Sequence, residues 1–303
     1  MDGAHSLEER VTASGREPRI GLALGGGGAR GLAHIHVLTA FDELGIRPTR
    51  IAGTSIGALL GACYAAGLSA RDITDFTIEA FANRRLVASR LWRTRPPNLA
   101  EFFADGGLRF GQLNAERVVG AFLPVELPHS FEALGIPLTV VATNFYAHRT
   151  ACGLDSGDLV SALAASIALP ALFRPVRREG MVYVDGGICN PLPFDLIAPY
   201  CDLTVAVDVT GGPEAAGNPM PTPMEAMFGS SQLMMQAITE AKLRQKGPDL
   251  LLQPPVSRYR VLDFMKATII LDQTKDLVEE TKRKIAALCE LRDFEIHGVT
   301  DPR

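Results

Sequence analysis

The chain has 303 residues, of which 47% are hydrophobic, and a formal net charge of −4. This length and apolar content support one large α/β domain or two small ones, with disorder confined to the termini. The acidic balance argues against a broad nucleic-acid surface. Cys63, Cys152, Cys189, Cys201 and Cys289 form neither a CxxC pair nor a metal-ligand spacing, so they read as reduced thiols.

Met1 to Arg19 is polar and mixed in charge, without the apolar run of a signal peptide, so residues 1–17 read as a tail and a cytoplasmic setting is expected. Ile20 to Leu24 is a buried parallel strand by pattern, feeding a glycine run and a helix from Ala29 to Leu44. Thr49 to Ala52 reads as a second strand, entering Gly53-Thr54-Ser55-Ile56-Gly57 and a helix stopped at Gly67. Ile51 to Ala70 carries no charge and has the length of a membrane span. The embedded Gly-Thr-Ser-Ile-Gly would break such a helix, so a helix wedged against a sheet is the better reading.

Phe81 to Phe110 reads as an insertion. Arg84, Arg85, Arg90, Arg93 and Arg95 alternate there with Leu86, Val87, Leu91 and Trp92. This pattern fits either peripheral contact with an anionic membrane or an amphipathic helix packed on the domain. Leu138 to Thr143 and Val182 to Val184 are strands, the latter leading into Asp185-Gly186-Gly187; Leu203 to Val209 and Leu250 to Leu252 complete the set. Gly211 to Pro223 is a Pro/Gly-rich loop, followed by a methionine-rich helix from Met224 to Gln245. The methionines fit core filling, and the loop could serve as a lid. From Phe264 the residues Ala267, Leu271, Thr274, Val278, Thr281, Ile285, Leu288 and Leu291 form one sustained helical stripe, expected to pack on its own sheet. Strands alternating with helices predict a three-layer α/β/α sandwich with a mostly parallel sheet. One domain over residues 18–292 and a tail over 293–303 follow; the oligomeric state stays open.

Three motifs carry the chemistry. A serine hydroxyl is a poor nucleophile until exposed, oriented and deprotonated. Gly53 and Gly57 let the chain tighten into an elbow that pushes Ser55 out at a helix N-terminus, where free N–H groups favour negative charge. Gly26-Gly27-Gly28-Ala29-Arg30-Gly31 has two readings. A dinucleotide site would need an acid at the end of the second strand, where Ile51-Ala52 instead runs into the elbow. The other reading is an oxyanion cradle at Gly26, Gly27 and Gly28, with Arg30 adding positive charge or anchoring the loop. For the base, His297 lies in a polar tail, His34 and His36 fall on the first helix, and His129 and His148 have no evident partner. Asp185 ends a strand, and Gly186-Gly187 permits a turn that swings its carboxylate toward Ser55. Burial would raise this carboxylate's weak basicity.

Gly-Gly-Gly-x-Arg-Gly, Gly-x-Ser-x-Gly and Asp-Gly-Gly in this order resemble the patatin-like phospholipase family, from Ile20 to about Gln253. Ala33-His34-Ile35, Ser166 to Pro170 ahead of Pro175 and Asn190-Pro191 are further likenesses to the family, and the Val205 to Val209 strand is similar to one in its compact bacterial members. The resemblance implies an α/β/α fold and a Ser55–Asp185 dyad hydrolysing lipid acyl esters without cofactor or metal. It also implies an oxyanion hole at Gly26 to Gly28 with Arg30 beside it. Acyl transfer by the same dyad and an acyl-binding regulatory module are the alternatives.

Overall fold

A computed structural model describes residues 17–81, 83, 85, 87–89, 113–124, 127–147, 151–214, 220–292 and 294. Most of the Arg/Trp segment, including Trp92, lies outside the described residues, as do His148, His297 and nearly all of both tails.

Among the described residues eight strands form one sheet: β1 (Ile20–Leu24), β2 (Arg50–Thr54), β3 (Leu138–Asn144), β4 (Ala151–Leu154), β5 (Val176–Arg178), β6 (Met181–Asp185), β7 (Leu203–Val207) and β8 (Leu250–Leu252). The run β3-β2-β1-β7-β8 is parallel, whereas β4, β5 and β6 join through antiparallel pairs. β4 pairs with Val140 to Thr143 of β3, overlapping the stretch used by β2 (Leu138 to Val141) and the stretch used by β6 (Ala142 to Asn144). A strand has two edges, so β2 and β6 must share the other edge of β3 in succession. β2 climbs it and ends with Thr54 opposite Val141; β6 descends it and ends with Asp185 opposite Ala142. Two chain segments distant in sequence thus meet nose to nose.

The helices are α1 (His34–Glu43), α2 (Ile56–Ala65), α3 (Ala70–Phe81), α4 (Ala115–Phe122), α5 (Leu159–Ser166), α6 (Pro223–Gln245), α7 (Ala267–Thr274) and α8 (Leu277–Leu291). β1 shows how the faces divide. Ile20, Leu22 and Leu24 enter the main core with α1, α2 and α8, while Ala23 joins Leu192, Phe194 and Ile197 on the opposite face, where Leu243 of α6 packs. α2 is buried almost all round, and it approaches the sheet so closely that a Cβ on Gly57 would stand 2.2 Å from the Leu24 carbonyl oxygen. It ends in a Schellman turn, Leu68 N–H to Cys63 O and Gly67 N–H to Tyr64 O, with Gly67 at φ 102°. Among the described residues no helix is long and apolar enough to cross a membrane.

The C-terminal stripe differs from expectation. A 3-10 turn (Asp263–Lys266), α7 and α8 share it, broken at Lys275 and Asp276, and α8 packs chiefly on α1 rather than on the sheet. The periodicity survives the break because both helices turn the same residues toward one core: Leu271, Thr274, Thr281 and Ile285 are all buried. α6 opens with a capping box in which Thr222 and Glu225 exchange side-chain and main-chain hydrogen bonds behind Pro223.

Candidate active site

Ser55 stands between β2 and α2 as the N-cap of the helix, at φ 54° and ψ −121°. This backbone is strained for a residue with a side chain, and it persists because neighbouring groups hold both sides. The Ser55 N–H donates to Ser166 Oγ at 2.8 Å, and Ser166 in turn donates to the Val141 carbonyl at 2.6 Å. Thr54 Oγ1 donates to the Asn190 carbonyl at 2.9 Å. The elbow is thereby pinned to β3, to the end of α5 and to the loop after Asp185.

The Ser55 hydroxyl donates to Asp185 Oδ2 at 2.8 Å. The other oxygen, Oδ1, accepts from the Gly187 N–H at 2.7 Å, as the cap of a 3-10 turn at Gly186–Ile188. Gly186 sits against Val141, so the turn that orients the carboxylate is held by the same strand that holds the elbow. Asp185 is only 5% exposed. Burial raises its pKa to about 6, and the hydrogen bonds from Gly187 and Ser55 oppose that rise.

The glycine loop crosses above this pair. Gly26 N–H is committed to the Pro191 carbonyl at 2.9 Å and Ala29 N–H to the Val261 carbonyl at 2.8 Å. Among the described residues no acceptor faces the N–H groups of Gly27 and Gly28, and both residues line the cavity that holds Ser55. Gly28 has φ +59°, and a Cβ there would stand 2.2 Å from the Val261 carbonyl oxygen, so only glycine fits. Arg30 is buried, with its guanidinium turned to main-chain carbonyls: Tyr259 O at 2.6 Å and Thr210 O at 2.5 Å, with Gly212 and Ser257 at 3.4 Å. One cation thus ties the glycine loop to two distant loops. Its pKa is lowered by burial, against the pull of Glu214 and Asp263.

His34 is fully buried, and its Nε2 pairs with the Gly25 carbonyl at 2.9 Å. Burial lowers its pKa to about 4, so it is neutral at pH 7 and supports the loop from beneath. His36 pairs with the Leu271 carbonyl at 2.8 Å, joining α1 to α7. Neither contacts the Ser55–Asp185 pair.

A cavity of about 390 Å³ opens over Ser55 and Asp185. Ile56, Leu59, Leu60 and Cys63 carry it along α2, and Phe81, Phe122 and Phe264 stack across it with ring centroids 5.6 and 5.1 Å apart. Among the described residues Asp185 is the sole carboxylate lining it, with no lysine, arginine or histidine.

The family model for Patatin-like phospholipase matches residues 22–198, more than half of the chain. The chain belongs to the patatin-like phospholipase family. An uncharacterized NTE family protein of Mycobacterium tuberculosis is 37% identical over 197 residues, covering 64% of this chain and 50% of that protein. A lysophospholipase of the NTE group from Mycosarcoma maydis is 35% identical over 193 residues, covering 63% of this chain and 10% of that protein. The chain thus spans half or less of the length of these relatives. Among solved structures, VipD from Legionella pneumophila superposes with a TM-score of 0.41 at 16% identity, over 88% of this chain and 67% of that one.

In this patatin-like chain two supporting residues carry no catalytic signature in the sequence. Ser166 was visible only as part of a family-like run, without a role. Lys242, on α6, donates to Asn190 Oδ1, to the Leu192 carbonyl at 2.8 Å and to Asp195 Oδ1, and lies 4.7 Å from the Phe194 ring centroid. Burial lowers its pKa, while Asp195 pulls it upward. Asn190 N–H returns to the Gly186 carbonyl at 2.9 Å, so Lys242 grips the loop that carries both Asp185 and the Thr54 contact. A lone lysine in a polar helix stretch gives no hint of this.

Proposed function

We propose that the chain is a serine acyl-ester hydrolase acting on lipids. The observation that supports this most is the 2.8 Å hydrogen bond from Ser55 Oγ to Asp185 at the floor of an apolar cavity. Ser55 Oγ attacks the ester carbonyl while Asp185 Oδ2 takes its proton. The N–H groups of Gly27 and Gly28, with that of Ile56 at the start of α2, face the developing oxyanion. The alcohol leaves with a proton from Asp185; a water deprotonated by Asp185 then attacks the acyl-enzyme, and Asp185 returns that proton to Ser55 Oγ as the acid departs. Arg30 acts as the anchor of the cradle and not as an oxyanion donor, since its N–H groups are directed at Tyr259, Thr210 and their neighbours. Gly26 is likewise a hinge of the cradle, its N–H being held by Pro191.

The cavity wall argues for recognition of the acyl chain rather than the head group. Among the described residues lining it, a phosphate would meet no cation. From Ser55 to Cys63 the wall follows α2 for about 12 Å, room for an extended chain of about ten carbons. Soluble p-nitrophenyl esters of increasing chain length test this. Wild type is expected to turn over the esters with KM falling as the chain lengthens, and Ser55→Ala to be inactive yet folded. Turnover retained in folded Ser55→Ala would overturn the reading.

A further inference from the structure

We infer that the rim of the Ser55 cavity is a bilayer-docking face, built from the exposed methionine stripe of α6 and the apolar residues on either side of it. This rests on the lipid-hydrolase reading, since the partner follows from what the cavity is proposed to accept.

α6 presents two neighbouring stripes. Phe228, Ser231, Gln232 and Met235 face the cavity. Met224, Met227, Met234 and Ile238 recur at helical spacing beside them; Met224 is 54% exposed and Met234 60%. On one side of the mouth Leu262 and Met265 line the cavity and are also exposed. Arg260 Nη2, 3.1 Å from Glu225 Oε1, ties that loop to the first turn of α6. Ile238 also borders a second cleft with Ile188 and Phe145, where Asn190, Asp195 and Lys242 lie too, and Tyr146, 70% exposed, stacks edge-on against Phe145 at 5.1 Å. The sequence allowed these methionines to be core filling; α6 instead leaves Met224, Met227 and Met234 exposed.

Scattered apolar residues on a surface need no explanation, but an exposed apolar helix stripe beside a cavity mouth does. A protein partner or a second copy covering both sides of the mouth would seal it against substrate. A bilayer buries the same rim and delivers acyl chains through it. Phe145 and Tyr146 at the border suit the head-group level, where aromatic rings settle. Among the described residues of this face, Arg260 is paired with Glu225 and Lys266 with Asp263, and Arg258 lies over the Tyr259 ring at 5.3 Å. Docking is therefore apolar insertion, without a requirement for anionic lipid.

The test is co-sedimentation of the full chain with phosphatidylcholine vesicles, with and without phosphatidylglycerol. Wild type is compared with Met224→Gln/Met227→Gln/Met234→Gln, three positions outside the cavity and changes that keep helix propensity. Wild type should pellet with both vesicles at high and low salt, and the triple variant should bind about tenfold more weakly. Its turnover of a soluble short ester should stay unchanged. Ser55→Ala should pellet like wild type, which separates docking from catalysis. Equal binding by the triple variant, or pelleting that requires phosphatidylglycerol and vanishes in salt, overturns the assignment. A wild-type oligomer that the triple variant dissociates also overturns it, because the stripe would then join copies of the chain. Failure of the soluble ester assay in wild type would instead strike the hydrolase reading.

Discussion

β2 and β6 arrive at the same point on the edge of β3 by opposite routes, and each prepares its terminal residue by different physics. β2 is central and parallel, and ends in an elbow where Ser55 is strained at φ 54° and handed to a helix N-terminus. β6 is antiparallel and ends in a 3-10 turn where Asp185 is unstrained but buried, with one main-chain donor on the oxygen that Ser55 does not use. In the proposed mechanism Ser55 is prepared by geometry and Asp185 by desolvation. Perturbing backbone support should therefore injure Ser55, and perturbing charge should injure Asp185.

The largest separation comes from Asp185→Asn. The amide cannot accept the serine proton, so turnover should fall by about 10⁴ in a soluble-ester assay. Stability should move the other way. A carboxyl raised from 3.8 to about 6 holds its proton more tightly in the folded chain than in the unfolded one. The stability it contributes is full below pH 4 and is lost as pH rises through 6, a cost of roughly 1–3 kcal/mol at neutral pH. Denaturant melts at pH 7 should show Asp185→Asn more stable by that order. A less stable variant would mean that the carboxylate is not strained by burial. His34 acts in the opposite sense: with a pKa lowered to about 4, its contribution is lost as pH falls from 6.5 through 4. Without Asp185 to offset it, acid destabilisation in that window should be steeper in the variant.

Ser166→Ala comes next and addresses the elbow. It leaves the Ser55 N–H and the Val141 carbonyl unpaired in a buried place, about 1–3 kcal/mol. A loss of kcat of roughly ten- to a hundredfold with little change in KM is expected; an unchanged kcat would show that the strained elbow stands without it. The smallest effect belongs to Lys242→Met, which keeps the packing on Phe194 but removes the bonds to Asn190 Oδ1, the Leu192 carbonyl and Asp195, leaving Asn190 and Asp195 bonded to each other. A loss of about 1–2 kcal/mol in stability and a severalfold drop in kcat should appear together. A change in stability alone would confine Lys242 to a structural role.

The parts legible in the sequence are those whose chemistry is local. A glycine that must approach a carbonyl, as Gly57 approaches Leu24, or adopt φ +59°, as Gly28 does, leaves its mark at its own position. Strands β1, β2, β3, β6, β7 and β8 were readable from apolar runs, and α2 from its apolar run and the stop at Gly67. The direction of β6 was not, because Val182 to Val184 looks the same whichever way it is paired. Neither was the destination of the Arg30 side chain, whose carbonyl partners lie about 180 and 229 positions away. β4 and β5 are short and hold little apolar periodicity, and the interruption at Lys275 and Asp276 is hidden because the core-facing spacing continues through it.

The central claim is that Ser55 is activated by a buried carboxylate poised near neutrality. The most direct measurement is the rate at which a fluorophosphonate labels Ser55 as a function of pH, with the site located by peptide mass spectrometry. Labelling on Ser55 should rise with a midpoint of about 6 in wild type and stay slow and pH-flat in Asp185→Asn. A folded wild type that stays unlabelled on Ser55, or the same midpoint in Asp185→Asn, would contradict it.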